Sequence, residues 1–319
     1  AEVEYKDHKS NTIYAEFQIK KSDKDFLKDV SVIIWTTTPW TIPGNRGLAY
    51  SASDNYVRIR VRDVEDGSLA STGEEIIVAR PLLDSVCLQC GISAHEVLME
   101  FRGEELSGTL CSHPFRGKGY DFDVPAMAAN FVEMDTGSGF VHIAPGHGFD
   151  DWVLGMENGL PVPETVLGDG LFAGHVPLLG GNHVFKADQI VIEELKTAHA
   201  LLATGKIEHS YPHSWRSKAP LIFRNTPQWF ISMESDGLRQ KAMKAIEETA
   251  FYPASGKKRL AGMIETRPDW CVSRQRAWGA PITVFVEKVS GELLRDEVVM
   301  NRIVEAVRLE GVDAWFSSD

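Results

Sequence analysis

Short runs of β-branched and aromatic residues, separated by Gly, Asp and Ser, dominate the first two thirds of the chain. Such runs are typical of β-strands. They predict strands at residues 12–19, 30–36, 56–61, 75–79 and 140–143. Apolar residues with helical spacing are rarer in this part of the chain. The pattern predicts a mixed α/β (α+β) domain, compact and rich in strands with few helices, over residues 1–205.

Helical signals predict helices at residues 150–156, 186–203, 237–252 and 297–309. Two aspartates open the first of these helices, and acidic residues are common in the first turn of a helix. Gly205 follows the second helix, and we take this glycine as the domain boundary. Residues 281–287 are predicted to form a further strand.

The composition is that of an ordinary globular protein. Of 319 residues, 43% are hydrophobic and 24% are charged, which permits a buried core and excludes disordered, collagen-like and coiled-coil classes. The length suggests two domains. No apolar stretch approaches the ~20 residues that span a bilayer, and the N-terminus resembles neither a signal nor a transit peptide. We therefore expect a cytoplasmic protein, and the start without Met suggests an excised piece of a longer one.

The formal net charge is −12, but it is unevenly distributed. Residues 1–205 hold 16 basic and 30 acidic side chains, whereas residues 206–276 hold 13 and 7. Nucleic-acid binding depends on Lys and Arg at the phosphates. The first segment alone is therefore expected to bind nucleic acid weakly, and phosphate contacts are expected from the second.

The first segment whose side chains could take part in catalysis or binding is WTTTPWTIPGN, over residues 35–45. Pro39 lacks an N–H and ends the strand, so the three threonines lie at its exit. In extended backbone, Thr36 and Thr38 share one face and Thr37 takes the other. Their hydroxyls can orient a water molecule or donate to an ester carbonyl. A β-branched strand followed by a Pro-Gly turn is the alternative interpretation.

The second segment reads GSGFVHIAPGHGFDD over residues 137–151 and leads from a strand through a Gly/Pro loop into a helix. His142, His147, Asp150 and Asp151 lie within ten positions, which permits a metal site. They also suit a polar pocket in which a carboxylate meets a cationic substrate group. The aspartates alternatively cap the helix and complement its dipole. A third glycine is missing, so a dinucleotide-binding motif is a poor match.

The third segment reads RPDWCVSRQRAWG over residues 267–279. Arg267, Arg274 and Arg276 alternate with Trp270 and Trp278, a combination suited to phosphate contact and base stacking. A solvated charged face around anchoring tryptophans explains the same composition.

The four cysteines are too sparse for a disulfide scaffold and fit a reducing compartment. Cys87 and Cys90 form a C-x-x-C, and Cys111 is followed by His113, but the gap between the two pairs is long for structural zinc. Cys271 stands alone. Buried free thiols are the favoured interpretation, and we predict no metal site.

Four motifs resemble those of isoleucyl-tRNA synthetases and occur in that family's order: WTTTPWT (35–41), GSGFVHIAPGHGFDD (137–151), SYPHSWRSKAPLIFRNTPQWF (210–230) and RPDWCVSRQRAWG (267–279). Valyl and leucyl enzymes carry an Arg-containing TTRP peptide where this chain has Thr38-Pro39-Trp40, and they lack the His-Ile-Ala-Pro-Gly-His sequence. The HIGH and KMSKS signatures that hold ATP do not occur in the chain. Amino-acid activation is therefore not expected of these residues.

The resemblance implies an editing domain over residues 1–205 and a connecting segment over 206–266. Residues 267–319 would begin the second half of a Rossmann-type catalytic domain. The family's editing reaction hydrolyses valine wrongly esterified to the isoleucine tRNA. These synthetases are a well-known case of limited discrimination, because one methylene is worth only about 1–3 kcal/mol. The implied partners are valyl-tRNA(Ile) and the remainder of the synthetase, with no membrane.

The resemblance also assigns roles to residues in the motifs. Asp151 should pair with the α-ammonium of the substrate, and His142 should limit the size of its side chain. The remaining implied site residues are the catalytic Thr36, Thr37 and Thr38, the substrate-contacting Asn45, Thr41 and Trp35, and the supporting His147 and Asp150.

The implied nucleophile is a positioned water, with no cofactor for editing and with ATP and Mg only in the complete enzyme. Two alternatives are a non-catalytic tRNA-binding module and a metal-dependent hydrolase that uses His142, His147 and Asp150.

Overall fold

The computed structural model describes residues 3–274, 279–287 and 290–317. The chain divides into two compact units, Ala1–Asn225 and Thr226–Asp319. The boundary expected at Gly205 lies inside a strand, Leu201–Ser214, that pairs along the N-terminal strand. This pairing holds the residues immediately after Gly205 in the first unit.

The strands of the first unit are β1 (Val3–Lys21), β2 (Ser31–Thr36), β3 (Gly47–Tyr50), β4 (Asn55–Val64), β5 (Glu75–Ala79), β6 (Ile92–Arg102), β7 (Leu110–Ser112), β8 (Asp123–Ala128), β9 (Phe140–Ile143) and β10 (Leu201–Ser214). Its α-helices are α1 (Leu83–Gln89), α2 (Phe149–Glu157) and α3 (Val184–Thr197). The second unit contains β11 (Phe230–Ile231), β12 (Trp270–Cys271), α4 (Leu238–Glu248), α5 (Ser255–Glu265), α6 (Glu297–Glu310) and α7 (Ala314–Ser317).

Within the described residues, one large sheet of mixed direction forms the first unit. Its order is β6-β4-β5-β2-β1-β7-β8-β3-β9, with β10 paired to β1. The pairs β2–β5 and β3–β8 are parallel, and the other pairs are antiparallel. Every strand predicted for residues 1–205 is confirmed, and so is the mixed α+β class. The apolar faces form a core that includes Phe17, Ile33, Tyr56 and Ile76, each at most 2% exposed.

The predicted helix at residues 150–156 is confirmed as α2. The prediction of a helix through residue 203 is wrong at its C-terminal end, because α3 ends at Thr197. The chain then passes through His199, which has a positive φ of 53°, and enters β10. Leu201 and Leu202 are apolar enough to extend the helical pattern, but they are buried in the sheet instead.

The sheet curls so that the loop before β9 contacts β2 and β5. The Ala79 N–H donates to the Ser138 carbonyl at 2.9 Å, and the Ser138 hydroxyl donates to the Ile33 carbonyl. Gly139 has a φ of 83°, and a Cβ there would lie 2.2 Å from the Ala79 Cβ, so only glycine fits. Tyr56 fixes the loop further by donating its hydroxyl to the Gly139 carbonyl at 2.7 Å. These contacts bring the start of β9 beside β2.

In the second unit, α4 and α6 confirm the helices predicted over 237–252 and 297–309, although α4 ends earlier, at Glu248. The strand predicted at 281–287 is wrong for the described residues, which show only an isolated bridge between Val286 and Leu293. Residues 267–319, where the start of a Rossmann-type domain is expected, contain β12, α6 and α7 among their described residues. In the part of the chain that the structure describes, no helix is long and apolar enough to cross a membrane.

Candidate functional site

The three threonines lie where β2 leaves the sheet and a 3-10 helix, Pro39–Gly44, begins. The hydroxyl oxygens of Thr36 and Thr38 are 3.2 Å apart, and the Thr38 N–H donates to Thr36 Oγ1 at 3.1 Å. These two side chains share one face, as the alternation predicts. Thr37 and Thr38 are only half-buried, so they are the accessible members of the triplet.

A chain of hydroxyl groups runs from this segment to β9. Thr38 Oγ1 lies 3.3 Å from Thr41 Oγ1, and the Thr41 hydroxyl donates to the Thr38 carbonyl at 2.8 Å. Thr41 Oγ1 is also 2.7 Å from His142 Nε2. Because Thr41 gives its proton to the carbonyl, its oxygen accepts from the imidazole. His142 therefore anchors the threonine segment from across the sheet.

Asn45 fixes the tautomer of His142. Its Nδ2 donates to the Gly47 carbonyl at 2.9 Å and to His142 Nδ1 at 3.1 Å. An amide nitrogen cannot accept, so Nδ1 carries no proton and the ring proton is on Nε2. Burial is the main cause that lowers the pKa of His142 to about 3, which keeps the ring neutral. With Nδ1 occupied by Asn45 and the ring neutral, His142 has no free basic nitrogen and is unsuited to act as a general base.

Two residues expected to contact the substrate are buried against His142. Asn45 is 0% exposed and Thr41 is 5% exposed, and both bond to the His142 ring. Their direct contact with a substrate stays a prediction. The sequence motif contains both residues, but it does not show which way they face.

Asp151 lies in the first turn of α2 and bonds to the loop after β9. Its Oδ2 accepts the Ala144 N–H at 2.8 Å, while the N-cap position is Gly148, which has no side chain to cap with. Burial raises the pKa of Asp151 to about 6, opposed by hydrogen bonds from the Ala144 and Asp151 N–H groups. Within the described residues Asp151 forms no ion pair. A half-buried carboxylate without a cation is a suitable partner for an ammonium group.

His147 and Asp150 stand apart from the hydroxyl chain. His147 Nε2 is 2.6 Å from Thr165 Oγ1, its Nδ1 is 3.0 Å from the Phe223 carbonyl, and its ring packs edge-on against Trp40. Burial lowers the pKa of His147. These contacts fit the supporting role expected for it. Asp150 is exposed, and it lines a cavity of about 350 Å³ together with Ser51, Phe131 and Leu154.

A cavity of about 260 Å³ opens beside the exit of β2. Its lining includes Trp35, Thr36 and Thr37 from the end of β2, and Gly137, Gly139, Phe140 and Val141 from β9 and the loop before it. His142 and Asp151 do not line this cavity, whereas Thr36 belongs both to its lining and to the hydroxyl chain. Trp35 is half-buried at this cavity, where a ligand can contact it.

Two supporting residues were missed by sequence reasoning. Asp188 on α3 accepts the Trp40 N–H at 3.1 Å and the Asn11 Nδ2–H at 3.0 Å. No local motif marks Asp188 or Asn11, because their partners lie far away along the chain.

The cysteines are free thiols, and Cys87, Cys90 and Cys111 are buried. Burial raises the pKa of the Cys87 thiol to about 11, which disfavours the thiolate that binds metals. Among the described residues, no group of three or more His, Cys, Asp or Glu side chains is arranged to hold a metal ion. Arg276 and Trp278 of the third motif lie outside the described residues.

The chain belongs to the class I tRNA synthetases (I, L, M and V), whose family model matches residues 1–319. The curated relatives that it resembles include isoleucine–tRNA ligases. It is 51% identical to that of Pelagibacter ubique (strain HTCC1062) over 99% of this chain, and 49% identical to that of Gluconobacter oxydans (strain 621H) over 100%. The chain spans 35% of the length of each relative. These matches confirm the resemblance to isoleucyl-tRNA synthetases seen in the sequence motifs.

A solved structure described as GlLeuRS-CP1 aligns with 12% sequence identity and a TM-score of 0.46. It covers 61% of this chain and 98% of that chain. This score is too low to establish a common fold.

Proposed function

We propose that this chain hydrolyses the ester that joins valine to the 3′ end of the isoleucine tRNA. The observation that carries the proposal is the hydroxyl chain Thr36–Thr38–Thr41, anchored on the buried, neutral His142. These hydrogen bonds hold hydroxyl donors rigidly beside Thr37 and Thr38, which are the accessible threonines. Rigid donors at a reacting carbonyl stabilise the charge that develops there, and they need no reorganisation during the reaction.

Asp151 supports this reaction by binding the substrate's amino group. An aminoacyl ester carries an α-ammonium next to the carbonyl that is attacked. Asp151 offers a carboxylate without a cationic partner among the described residues, and its raised pKa reports the cost of keeping that charge without one. An ammonium group would offset this cost and fix the position of the ester.

Water is the proposed nucleophile, activated by position and not by a side-chain base. His142 has no free basic nitrogen, because Asn45 occupies Nδ1 and Thr41 faces Nε2. Aligning a water beside a bound ester removes much of the entropic barrier. The threonine hydroxyls are suited to this task, since each can donate and accept.

We assign discrimination between valine and isoleucine to His142, which would form a wall against the substrate side chain. Isoleucine exceeds valine by one methylene, so a rigid wall excludes it more effectively than a flexible one. The Asn45 and Thr41 bonds fix both ring nitrogens of His142 and so prevent the ring from rotating away. The tRNA is expected to gain its phosphate contacts mainly from the basic segment 206–276.

The proposal predicts hydrolysis that does not depend on a transition metal. We expect this chain, in excess over valyl-tRNA(Ile), to release valine at least about tenfold faster than buffer, which is a small part of the rate gain that positioning can supply. A transition-metal chelator, with Mg²⁺ held constant to keep the tRNA folded, should leave the rate unchanged. Loss of activity with the chelator would favour the metal-dependent hydrolase, and binding without hydrolysis would favour the non-catalytic module.

A further inference from the structure

The 3-10 helix Pro39–Gly44 begins with an unusual distribution of hydrogen bonds. Thr38 occupies the N-cap position, where a threonine hydroxyl commonly accepts a backbone N–H, but its side chain makes no such bond. Pro39 has no N–H to satisfy, and the Thr41 N–H donates to the Thr38 carbonyl at 2.9 Å. The Trp40 N–H therefore needs an acceptor from elsewhere.

Asp188 supplies that acceptor from α3. Its Oδ1 accepts the Trp40 N–H at 3.1 Å, and its Oδ2 accepts an N–H of the Asn11 amide at 3.0 Å. Asn11 lies on β1, so the carboxylate links a strand, a helix and the start of the 3-10 helix. A negative charge at the N-terminus of a helix is favourable, because the helix dipole points its positive end there. Burial raises the pKa of Asp188, and the bonds from Asn11 and Trp40 oppose that rise.

The capping bond from Asp188 releases the Thr38 hydroxyl. Thr38 Oγ1 lies 3.2 Å from Thr36 Oγ1 and 3.3 Å from Thr41 Oγ1, so its hydroxyl bonds to these two hydroxyls and makes no capping bond to its own helix. Resting on the proposed editing function, we propose that Asp188 is a positioning residue for that reaction. It caps the 3-10 helix in place of Thr38 and so keeps the Thr38 hydroxyl in the site.

The test compares Asp188→Ala with Asp188→Asn in this chain. Asparagine keeps an oxygen for the Trp40 N–H, and its amide can donate to Asn11 after the Asn11 side chain rotates. We expect Asp188→Ala to lower the rate at saturating valyl-tRNA(Ile) about tenfold with little change in KM, since small displacements of a reacting group are costly. Asp188→Asn should stay within about threefold of the unmodified chain, because the capping bond is retained.

A double-mutant cycle shows whether Asp188 acts through Thr38. In a Thr38→Val background the hydroxyl is gone, so Asp188→Ala should cause no further loss of rate. Losses that multiply in the double variant would overturn the proposal, because Asp188 would then act independently of Thr38. The proposal would also be overturned if Asp188→Asn lost as much activity as Asp188→Ala.

Two measurements test the arrangement without relying on activity. Amide exchange at Trp40 should accelerate at least about tenfold in Asp188→Ala but not in Asp188→Asn, because an unbonded N–H exchanges faster. The methyl resonances of Thr38 and Thr41 should shift in Asp188→Ala alone. Unchanged exchange or unshifted methyls would overturn the proposal. If the unmodified chain does not hydrolyse the ester, the editing function fails, and these two measurements still decide whether Asp188 holds Thr38.

Discussion

Replacing Asp151 by Asn is expected to lower kcat/KM for valyl-tRNA(Ile) hydrolysis by about 10- to 100-fold. A hydrogen bond to a charged group is worth about 1.5–3 kcal/mol, and each 1.4 kcal/mol corresponds to a factor of ten. Asparagine can still accept the Ala144 N–H that Asp151 Oδ2 accepts, so the fold of α2 should be preserved. Only the charge that would meet the substrate ammonium is removed.

Asp150→Asn is the matched control, because Asp150 is adjacent on α2 but exposed. We expect its rate to stay within about twofold of the unmodified chain, as is usual for a surface change. The pH dependence gives a second readout. Since burial raises the pKa of Asp151 to about 6, the carboxylate is neutralised as the pH falls below that value, and ammonium binding weakens. The kcat/KM for valyl-tRNA(Ile) hydrolysis should therefore fall as the pH is lowered in the unmodified chain, but not in Asp151→Asn. Equal effects of the two substitutions would contradict the ammonium-binding role.

Replacing His142 by Ala is expected to expose isoleucyl-tRNA(Ile) to hydrolysis. The ring is 7% exposed and fixed at both nitrogens, so its removal opens space where the extra methylene of isoleucine would otherwise meet a rigid wall. Because one methylene is worth about 1–3 kcal/mol, the rate for the isoleucyl ester should rise about tenfold or more. The measurement is release of isoleucine under single-turnover conditions.

His142→Ala also removes one hydrogen-bond partner from Asn45 and one from Thr41, which costs about 1–3 kcal/mol of folding stability. His147→Ala is the matched control, since it likewise removes a buried imidazole with two hydrogen-bond partners. It should lower thermal stability without allowing hydrolysis of isoleucyl-tRNA. Continued protection of isoleucyl-tRNA by a folded His142→Ala chain would show that another group excludes isoleucine.

Five of the ten described strands of the first unit (β1, β2, β4, β5 and β9) could be predicted from sequence because their signal is local. Residues 75–79 and 140–143 are β-branched or aromatic runs between turn residues, and both form strands with the predicted bounds. The end of α3 could not be predicted in this way. Leu201 and Leu202 fit a helical period and a buried strand equally well, and the long pairing with β1 decides between them.

The candidate site was predictable as a set of residues but not as a geometry. The motifs indicate Thr38, His142 and Asp151 as candidate site residues, because hydroxyl, imidazole and carboxylate groups are concentrated in these motifs. They do not reveal that Asn45 orients His142 across 97 positions, or that Asp188 accepts the Trp40 N–H across 148. Such contacts depend on how the sheet curls, which no local pattern encodes.

The most direct test of the editing account compares two substrates that differ by one methylene. This chain is mixed in excess with valyl-tRNA(Ile) and, separately, with isoleucyl-tRNA(Ile), and release of the amino acid is followed over time. The account predicts that the valyl ester is hydrolysed at least about tenfold faster than the isoleucyl ester, which stays close to its rate in buffer. Equal hydrolysis of both esters, or hydrolysis of neither, would contradict it.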